Sequence, residues 1–277
     1  MAVVELAAGP IEYEDSGGEG RPVLVLVRGL MMDGRQWRHV VAELGDEFRC
    51  VSPTLPMGAH RRPMHADADL SLRGMGRIVT EFLAALDLRD VTLCFNDWCG
   101  AQVMVADEGM ERAALLVLVS CETAGNYPPG MAGHAAWLSA KLPGGVAMTR
   151  QVLLRPRLRR LPFLFGQMTK RGIPDEPMRD WLEPLKRAEI RRDLRRYAGD
   201  AMNGKRDLEA ASAALGGFDR PVLVVWDREG PMMPNAAGRD LAAAFPDSRL
   251  VELDDCYTLI PEDQPLALAA EIRAFAA

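Results

Sequence analysis

The sequence has few histidines and no surplus of positive charge. Its four histidines form no HExxH or comparable metal-binding motif, so nothing in their spacing indicates a metal centre. The formal net charge of −6 argues against a nucleic-acid-binding protein, which usually carries a basic surplus. We expect no metal, no cofactor and no nucleic-acid partner.

Paired cysteines and long apolar runs are also missing. Five scattered cysteines, with no CxxC pair, do not suggest a disulfide framework. The N-terminus lacks a basic region followed by an apolar stretch, and no apolar run approaches the roughly 18 residues that span a membrane. A cytoplasmic protein without a membrane partner is expected, and its oligomeric state stays open between a monomer and a homodimer.

What the sequence does contain is an alternation of apolar strands and amphipathic helices. Three runs are apolar throughout, Val23–Val27, Leu115–Val119 and Pro221–Trp226, and Val91–Phe95 is a fourth candidate strand. Strands of this kind are covered on both faces, as in parallel sheets. Amphipathic stretches lie between them, which predicts an α/β fold with a mostly parallel, doubly wound sheet.

The alternation stops between about residues 122 and 218. That segment reads as helices interrupted by prolines, carries large apolar residues such as Trp137 and Trp181, and contains no convincing strand. We interpret it as a helical cap over the carboxyl ends of the strands, where open α/β sheets bind ligands. The predicted organisation is a core of residues 1–121 and 219–277 with a cap of 122–218; an independent helical domain is the alternative.

Two arginine clusters lie inside this cap, at Arg155 to Arg160 and at Arg191 to Arg196. Their helical spacing and acidic neighbours favour solvated helix faces over a binding groove.

The segment with the clearest chemical meaning runs from Val91 to Gln102. A strand ends near Phe95 and a helix begins within a few positions, so the turn between them exposes Asp97 at the top of the sheet. The helix dipole should keep this carboxylate ionised and available. Aspartate is also a good helix N-cap, which is the structural alternative.

This turn resembles the nucleophile elbow of the α/β-hydrolase superfamily, and Asp97-Trp98 resembles its haloalkane dehalogenase and epoxide hydrolase branch. The resemblance continues at Val27-Arg28-Gly29-Leu30, in the place of the oxyanion turn, and at Pro261-Glu262-Asp263. It implies that Asp97 is the nucleophile, that the Trp98 N–H is an oxyanion donor, and that the Trp98 indole lines a substrate pocket.

The sequence departs from that family at several functional positions. The place of the catalytic histidine falls on or near Thr258, and no histidine follows His134. The acidic partner's place falls near Gly230, and Asp227 or Glu229 could substitute for that partner by a small shift. Arg28 stands where the oxyanion-turn histidine is found, Leu30 replaces a polar donor, and Cys99 replaces the last glycine of the elbow.

These departures leave the reaction open. An aspartate can attack an alkyl halide or epoxide, but releasing the resulting ester needs a base, typically worth about 10²–10⁴-fold. His60 on a loop near the site is a candidate base; otherwise Asp97 acts as a general acid or base in a lyase, isomerase or cyclase, or the protein only binds a ligand.

Arg28 either points into the pocket, toward Asp97 or an anionic substrate group, or outward. Tyr257 and Thr258 either donate to a developing oxyanion or pack. The leading expectation is an enzyme for a small, largely apolar electrophile such as an epoxide, halide or ester.

Overall fold

The structure, a computed structural model, describes residues 1–98 and 100–276. Its centre is an eight-stranded sheet in the order β1-β2-β4-β3-β5-β6-β7-β8. The strands are Ala2–Leu6 (β1), Gly9–Asp15 (β2), Val23–Val27 (β3), Arg49–Thr54 (β4), Val91–Asp97 (β5), Ala113–Cys121 (β6), Val222–Asp227 (β7) and Ser248–Leu253 (β8). The pairs β1–β2 and β2–β4 are antiparallel and the other neighbours are parallel. The prediction of a mostly parallel α/β sheet is confirmed.

Helices cover both faces of this sheet. They are Arg38–Leu44 (α1), Leu72–Ala85 (α2), Ala101–Ala106 (α3), Gly130–Lys141 (α4), Gly145–Leu153 (α5), Pro156–Arg159 (α6), Asp175–Leu182 (α7), Ala188–Gly199 (α8), Ala201–Ser212 (α9), Asn235–Ala243 (α10), Ile260–Asp263 (α11) and Pro265–Ala276 (α12). None of these helices is long and apolar enough to cross a membrane.

The central strands are apolar throughout because each of their faces meets a different hydrophobic cluster. In β3, Leu24 and Leu26 pack into a cluster shared with α1 and α12, whereas Val25 and Val27 pack into the larger cluster on the opposite face. Alternate side chains of a strand point to opposite faces, so both sets must be apolar when both faces are covered.

Helices α4 to α9 form an insertion between β6 and β7, and in the described chain this insertion contains helices and turns but no strand. Its buried side chains, among them Trp181 and Leu194, belong to the same large cluster as Val25 and Val27 of the sheet. The insertion therefore packs directly on the core.

Candidate active site

Asp97 ends strand β5 in a conformation that few residues adopt. Its φ is 65°, and the pairing with β6 shifts register between Asn96 and Asp97. A non-glycine residue held at positive φ costs of order 1–3 kcal/mol, and such strain is concentrated at functional sites. The helix α3 begins four residues later, at Ala101. This is the sharp strand–turn–helix geometry that the sequence predicted; Cys99, which it also singled out, lies outside the described residues.

Two glycines make room for the side chains of this turn. A Cβ on Gly29 would lie 1.8 Å from Oδ2 of Asp97, and a Cβ on Gly100 would lie 2.1 Å from the indole of Trp98. Because both distances are far below van der Waals contact, neither side chain could keep its position beside an alanine. Gly29 and Gly100 therefore determine where the Asp97 carboxylate and the Trp98 indole can lie.

The Asp97 carboxylate has one main-chain partner. The Leu30 N–H donates to Oδ2 at 3.3 Å, whereas Oδ1 is buried and has no hydrogen-bond partner among the described residues. The Trp98 N–H, the oxyanion donor that the resemblance implies, donates to the carbonyl of Asn96 at 2.7 Å. The donor at Leu30 is the main-chain N–H, which every residue except proline would supply at this position.

Burial raises the pKa of Asp97 to about 7, and the hydrogen bond from Leu30 opposes this shift only in part. The sequence predicted a carboxylate kept ionised by a helix dipole. Helix α3 has only six residues, and the loss of hydration outweighs its field. Asp97 is therefore divided between its acid and its anion near neutral pH.

Asp97 lines a cavity of about 100 Å³ between the sheet edge and the insertion. The surrounding side chains are mostly apolar, and two of them are tryptophans, Trp98 from the elbow and Trp137 from α4. The Nε1 atom of each indole is buried and lacks a hydrogen-bond partner in the part of the chain that the structure describes. A buried polar group without a partner costs about 1–3 kcal/mol and calls for an explanation, of which a ligand is one.

Glu122 is the site residue that sequence reasoning missed. It follows β6 directly, is 5% exposed, and lines the same cavity as Asp97. Its N–H donates to the Asp97 carbonyl at 3.2 Å, and its own carbonyl accepts from Gln102 Nε2 at 3.0 Å. The available signal was an acidic residue placed immediately after an apolar strand, at the edge where the predicted pocket lies.

Two buried tyrosines stand beside this pair of carboxyl groups. Tyr127 lines the cavity, and the phenol of Tyr197 lies close enough to influence its pKa. Burial raises the pKa of both phenols, and the nearby charge of Glu122 raises them further. Both hydroxyls therefore stay protonated and can donate or relay a hydrogen bond.

Arg28 takes neither of its two predicted positions. It is fully buried, and its guanidinium donates to the carbonyls of Gly29 at 3.2 Å and Leu55 at 2.9 Å. Burial lowers its pKa to about 10. It is neither a surface residue nor one of the residues that line the cavity, so it holds two loops together rather than facing Asp97 or a substrate.

His60 is also held away from the cavity. Its Nδ1 accepts from the Gly58 N–H at 3.3 Å, and its Nε2 lies 3.3 Å from Oδ2 of Asp193 on α8. Burial lowers its pKa, so the ring is neutral at pH 7. The structure does not bring it to Asp97 as a base.

Asp227 and Glu229, the other candidate bases, have different partners. Asp227 accepts from the Ser120 hydroxyl at 2.8 Å and from the Gly230 N–H at 2.5 Å, and burial raises its pKa to about 6. Glu229 lies at the surface, where Lys170 lowers its pKa through a 2.5 Å contact. Neither carboxylate lines the cavity.

Tyr257 and Thr258 do not reach the cavity. Tyr257 is partly buried beneath Lys170, whose Nζ lies 6.0 Å from the ring centroid. The Thr258 hydroxyl is buried and has no partner among the residues described, while its carbonyl accepts from Asn96 Nδ2 at 2.8 Å. The contacts of Tyr257 show that it packs, which is the second of the two alternatives that the sequence left open.

Asn96 connects the strand ends around the site. Its Nδ2 donates to the carbonyls of Val119 and Thr258, both at 2.8 Å, and its Oδ1 accepts from Gln36. Gln36 in turn accepts from the Gly29 N–H at 3.3 Å. These bonds fix β5, β6 and the oxyanion turn relative to one another. Within the described residues, no three His, Cys, Asp or Glu side chains are grouped so as to hold a metal ion.

A family model described as "Alpha/beta hydrolase family" matches residues 24–271. The chain belongs to this family. Among the relatives of this hydrolase-family protein are a cis-3-alkyl-4-alkyloxetan-2-one decarboxylase from Xanthomonas campestris pv. campestris, 26% identical over 96% of this chain and 91% of that protein, and haloalkane dehalogenase 2 from Mycobacterium tuberculosis, 27% identical over 95% and 90%. These homologues are enzymes, and the predicted resemblance to the dehalogenase-like branch is confirmed.

Solved structures show the same fold. An alpha/beta hydrolase fold protein from Burkholderia ambifaria matches with a TM-score of 0.79 and 20% identity, covering 98% of this chain and 96% of that chain. A haloalkane dehalogenase loop variant from Bradyrhizobium elkanii matches with a TM-score of 0.76 and 16% identity, covering 99% and 95%.

Proposed function

We propose that this hydrolase-family protein is an enzyme that converts a small, largely apolar electrophile, with Asp97 as the nucleophile. The observation that carries this proposal is Oδ1 of Asp97, a buried carboxylate oxygen without a hydrogen-bond partner among the described residues, on a side chain that lines an apolar cavity. A poorly solvated carboxylate is more nucleophilic than one bound by several donors. The activities named for two relatives, on haloalkanes and on alkyl-substituted oxetan-2-ones, involve apolar electrophiles of this kind.

In the first step, Oδ1 of ionised Asp97 attacks a carbon that carries a halide or an epoxide oxygen. The new C–O bond forms an alkyl ester on Asp97, and the bond to the leaving group breaks with its electron pair. The indole N–H groups of Trp98 and Trp137 are available to hydrogen-bond the developing anion, since both line the cavity. Donors placed where charge develops stabilise the transition state.

In the second step, water attacks the carbonyl carbon of the ester and gives its proton to Glu122. The Leu30 N–H, already 3.3 Å from Oδ2, stabilises the oxyanion of the tetrahedral intermediate. Collapse of this intermediate breaks the bond to the alcohol oxygen, which takes the proton of the Asp97 carboxyl group and leaves Asp97 as a carboxylate, and Glu122 then releases its proton to solvent. Glu122 thus takes over the role of base that no histidine performs in this cavity, whose described lining contains none.

A second candidate function is proton transfer by Asp97 without an ester, in a lyase, isomerase or cyclase reaction. The pKa of about 7 favours it, because a general acid or base works best with a pKa near the operating pH. Binding without turnover is the remaining alternative.

Mass spectrometry of the intact protein after incubation with 1-bromohexane and with 1,2-epoxyhexane tests the proposal. We expect turnover by the wild type and an ester adduct that accumulates in Glu122→Gln, mapped to Asp97, with no adduct in Asp97→Asn. Turnover by Glu122→Gln at the wild-type rate would contradict the role of Glu122. Absence of both adduct and turnover for every electrophile would contradict nucleophilic attack and leave proton transfer or binding.

A further inference from the structure

The second arginine cluster of the sequence lines an open groove on the insertion. The groove has a volume of about 760 Å³ and lies between α8 and the segment that joins α4 to α5. Its lining includes five cations and one carboxylate: Lys141, Arg191, Arg192, Arg195, Arg196 and Asp200. Such a concentration of positive charge contrasts with the net charge of −6 of the whole chain. The sequence had favoured solvated helix faces here.

The charges of this groove are only partly neutralised. Of its five cations, Arg192 alone has a carboxylate within 4.0 Å in the described structure, that of Asp193. Arg195 and Arg196 are anchored by main-chain carbonyls, of Ala140 for Arg195 and of Ala66 and Ala68 for Arg196. Carbonyl contacts hold a guanidinium in place without cancelling its charge, and the remaining N–H groups can bind an anion.

A small cavity, which we call the neck, lies between the groove and the cavity of Asp97. Ala140 and Val146 line both the groove and a neck of about 10 Å³. Leu30 and Thr149 line both this neck and the cavity of Asp97. The remaining neck residues include Leu194, so the neck is mostly apolar and has room for about one water molecule.

We propose that the natural substrate is an amphiphile whose anionic phosphate or carboxylate head binds the arginine groove while its apolar chain passes through the neck to Asp97. This inference rests on the proposed function, because it assigns the reacting carbon to the far end of the chain. A cationic mouth, an apolar neck and an apolar cavity in that order match the polarity of such a molecule. Opening of the neck accompanies binding.

Binding is measured with compounds that carry no displaceable group at the tail, so the result does not depend on catalysis. Isothermal titration calorimetry of the wild type should show octyl phosphate and nonanoate binding about tenfold or more tightly than 1-octanol, with an affinity that falls as salt rises. Lys141→Gln/Arg195→Gln should lose this advantage and bind 1-octanol unchanged. The matched control, Arg155→Gln/Arg157→Gln, removes two exposed cations of the insertion outside the groove and should bind like the wild type.

The neck is tested by chain length. Affinity should rise from butyl to octyl phosphate in the wild type and in Met148→Trp, an exposed position on α5, but not in Val146→Trp. Equal affinity for octyl phosphate and 1-octanol, or equal effects of the two arginine-containing double variants, would overturn the proposal. So would inorganic phosphate that binds the groove without competing with octyl phosphate. Alkyl phosphate binding by a protein that gives neither adduct nor turnover with any electrophile would contradict the proposed function, and only the binding of an anionic amphiphile would then stand.

Discussion

Asp97 combines a positive φ, near-complete burial and a carboxylate with one main-chain donor. The positive φ, the burial of the carboxylate and its lack of further hydrogen-bond donors each lower the stability of the folded state, and none of them is needed to end a strand. Strain and desolvation that persist at one residue indicate that the surrounding structure holds the side chain for a purpose other than stability. The carboxylate is placed by Gly29, Leu30 and the Asn96 hydrogen bonds, all of which belong to strand ends.

Asp97→Asn should change how stability depends on pH. The pKa of Asp97 is raised from 3.8 to about 7 in the folded state, so the folded protein binds this proton more tightly than the unfolded chain. The wild type should therefore lose stability as the pH rises from about 4 to about 7. Because every other titrating group is common to both proteins, the free energy of unfolding of Asp97→Asn relative to wild type should be about 2–4 kcal/mol higher at pH 8 than at pH 4. Urea unfolding at the two pH values measures this; an unchanged difference would contradict the raised pKa.

Gly29→Ala should abolish most of the activity without unfolding the protein. The new Cβ would lie 1.8 Å from Oδ2 of Asp97, so the carboxylate must move away from the Leu30 N–H. A displacement of about 1 Å at the reacting group costs on the order of 100-fold in rate. The rate of adduct formation in the Glu122→Gln background, followed by mass spectrometry, checks this. Gly216→Ala is the control, since its Cβ meets nothing within 4 Å; a rate loss shared by both variants would contradict the steric explanation.

At this scale the sequence revealed Asp97 but not its surroundings. A strand followed within a few residues by a helix predicts which side chain is exposed at the turn. It does not predict that Glu122, from the next strand, lies in the same cavity, because that depends on the order of strands in the sheet. Residue type also misleads for Arg28 and His60: both are buried by contacts with residues distant in sequence, Leu55 for Arg28 and Asp193 for His60.

Among the elements, the strands with continuous apolar runs were predicted to within two residues at each end. Val23–Val27 is the whole of β3, because an element covered on both faces has no polar positions to confuse the pattern. The antiparallel hairpin of β1 and β2 was not predicted. It lies at the edge of the sheet, and β1 is largely exposed, so its sequence carries no burial pattern.

Helix α8 of the insertion is joined to the core through Asp193. This fully buried carboxylate accepts from the Met64 N–H at 2.9 Å and contacts His60 at 3.3 Å and Arg192 at 2.7 Å. Asp193→Ala leaves the buried His60 ring and the buried Met64 N–H without this partner and should lower the free energy of unfolding by about 2–5 kcal/mol. Asp180→Ala, which removes a half-exposed carboxylate of α7 that is 2.6 Å from Arg35, should cost no more than about 1 kcal/mol. Urea unfolding compares the two, and similar losses would refute a special role for Asp193.

For the molecule as a whole, the question is whether residues 122–218 behave as a cap on the core or as an independent helical domain. Their buried side chains share one hydrophobic cluster with the sheet, and hydrogen bonds such as that from Trp181 Nε1 to Asp33 at 2.8 Å cross between them. If either part unfolded, the apolar surface that each part buries against the other would become exposed to water. The cavity and the arginine groove are formed partly or wholly by this segment, so its cooperativity with the core bears directly on function.

We therefore expect thermal unfolding to be a single transition, with circular dichroism and tryptophan fluorescence giving the same midpoint. Trp181→Phe removes the hydrogen bond to Asp33 from a fully buried side chain, and it leaves the Asp33 carboxylate with its contacts to Arg35. The loss of one buried hydrogen bond costs about 1–3 kcal/mol, which in a chain of this size lowers the midpoint by several degrees. Because the two parts share their core, this shift should move the entire curve. A separate transition at lower temperature, seen mainly in the helical signal, would show instead that the insertion unfolds by itself.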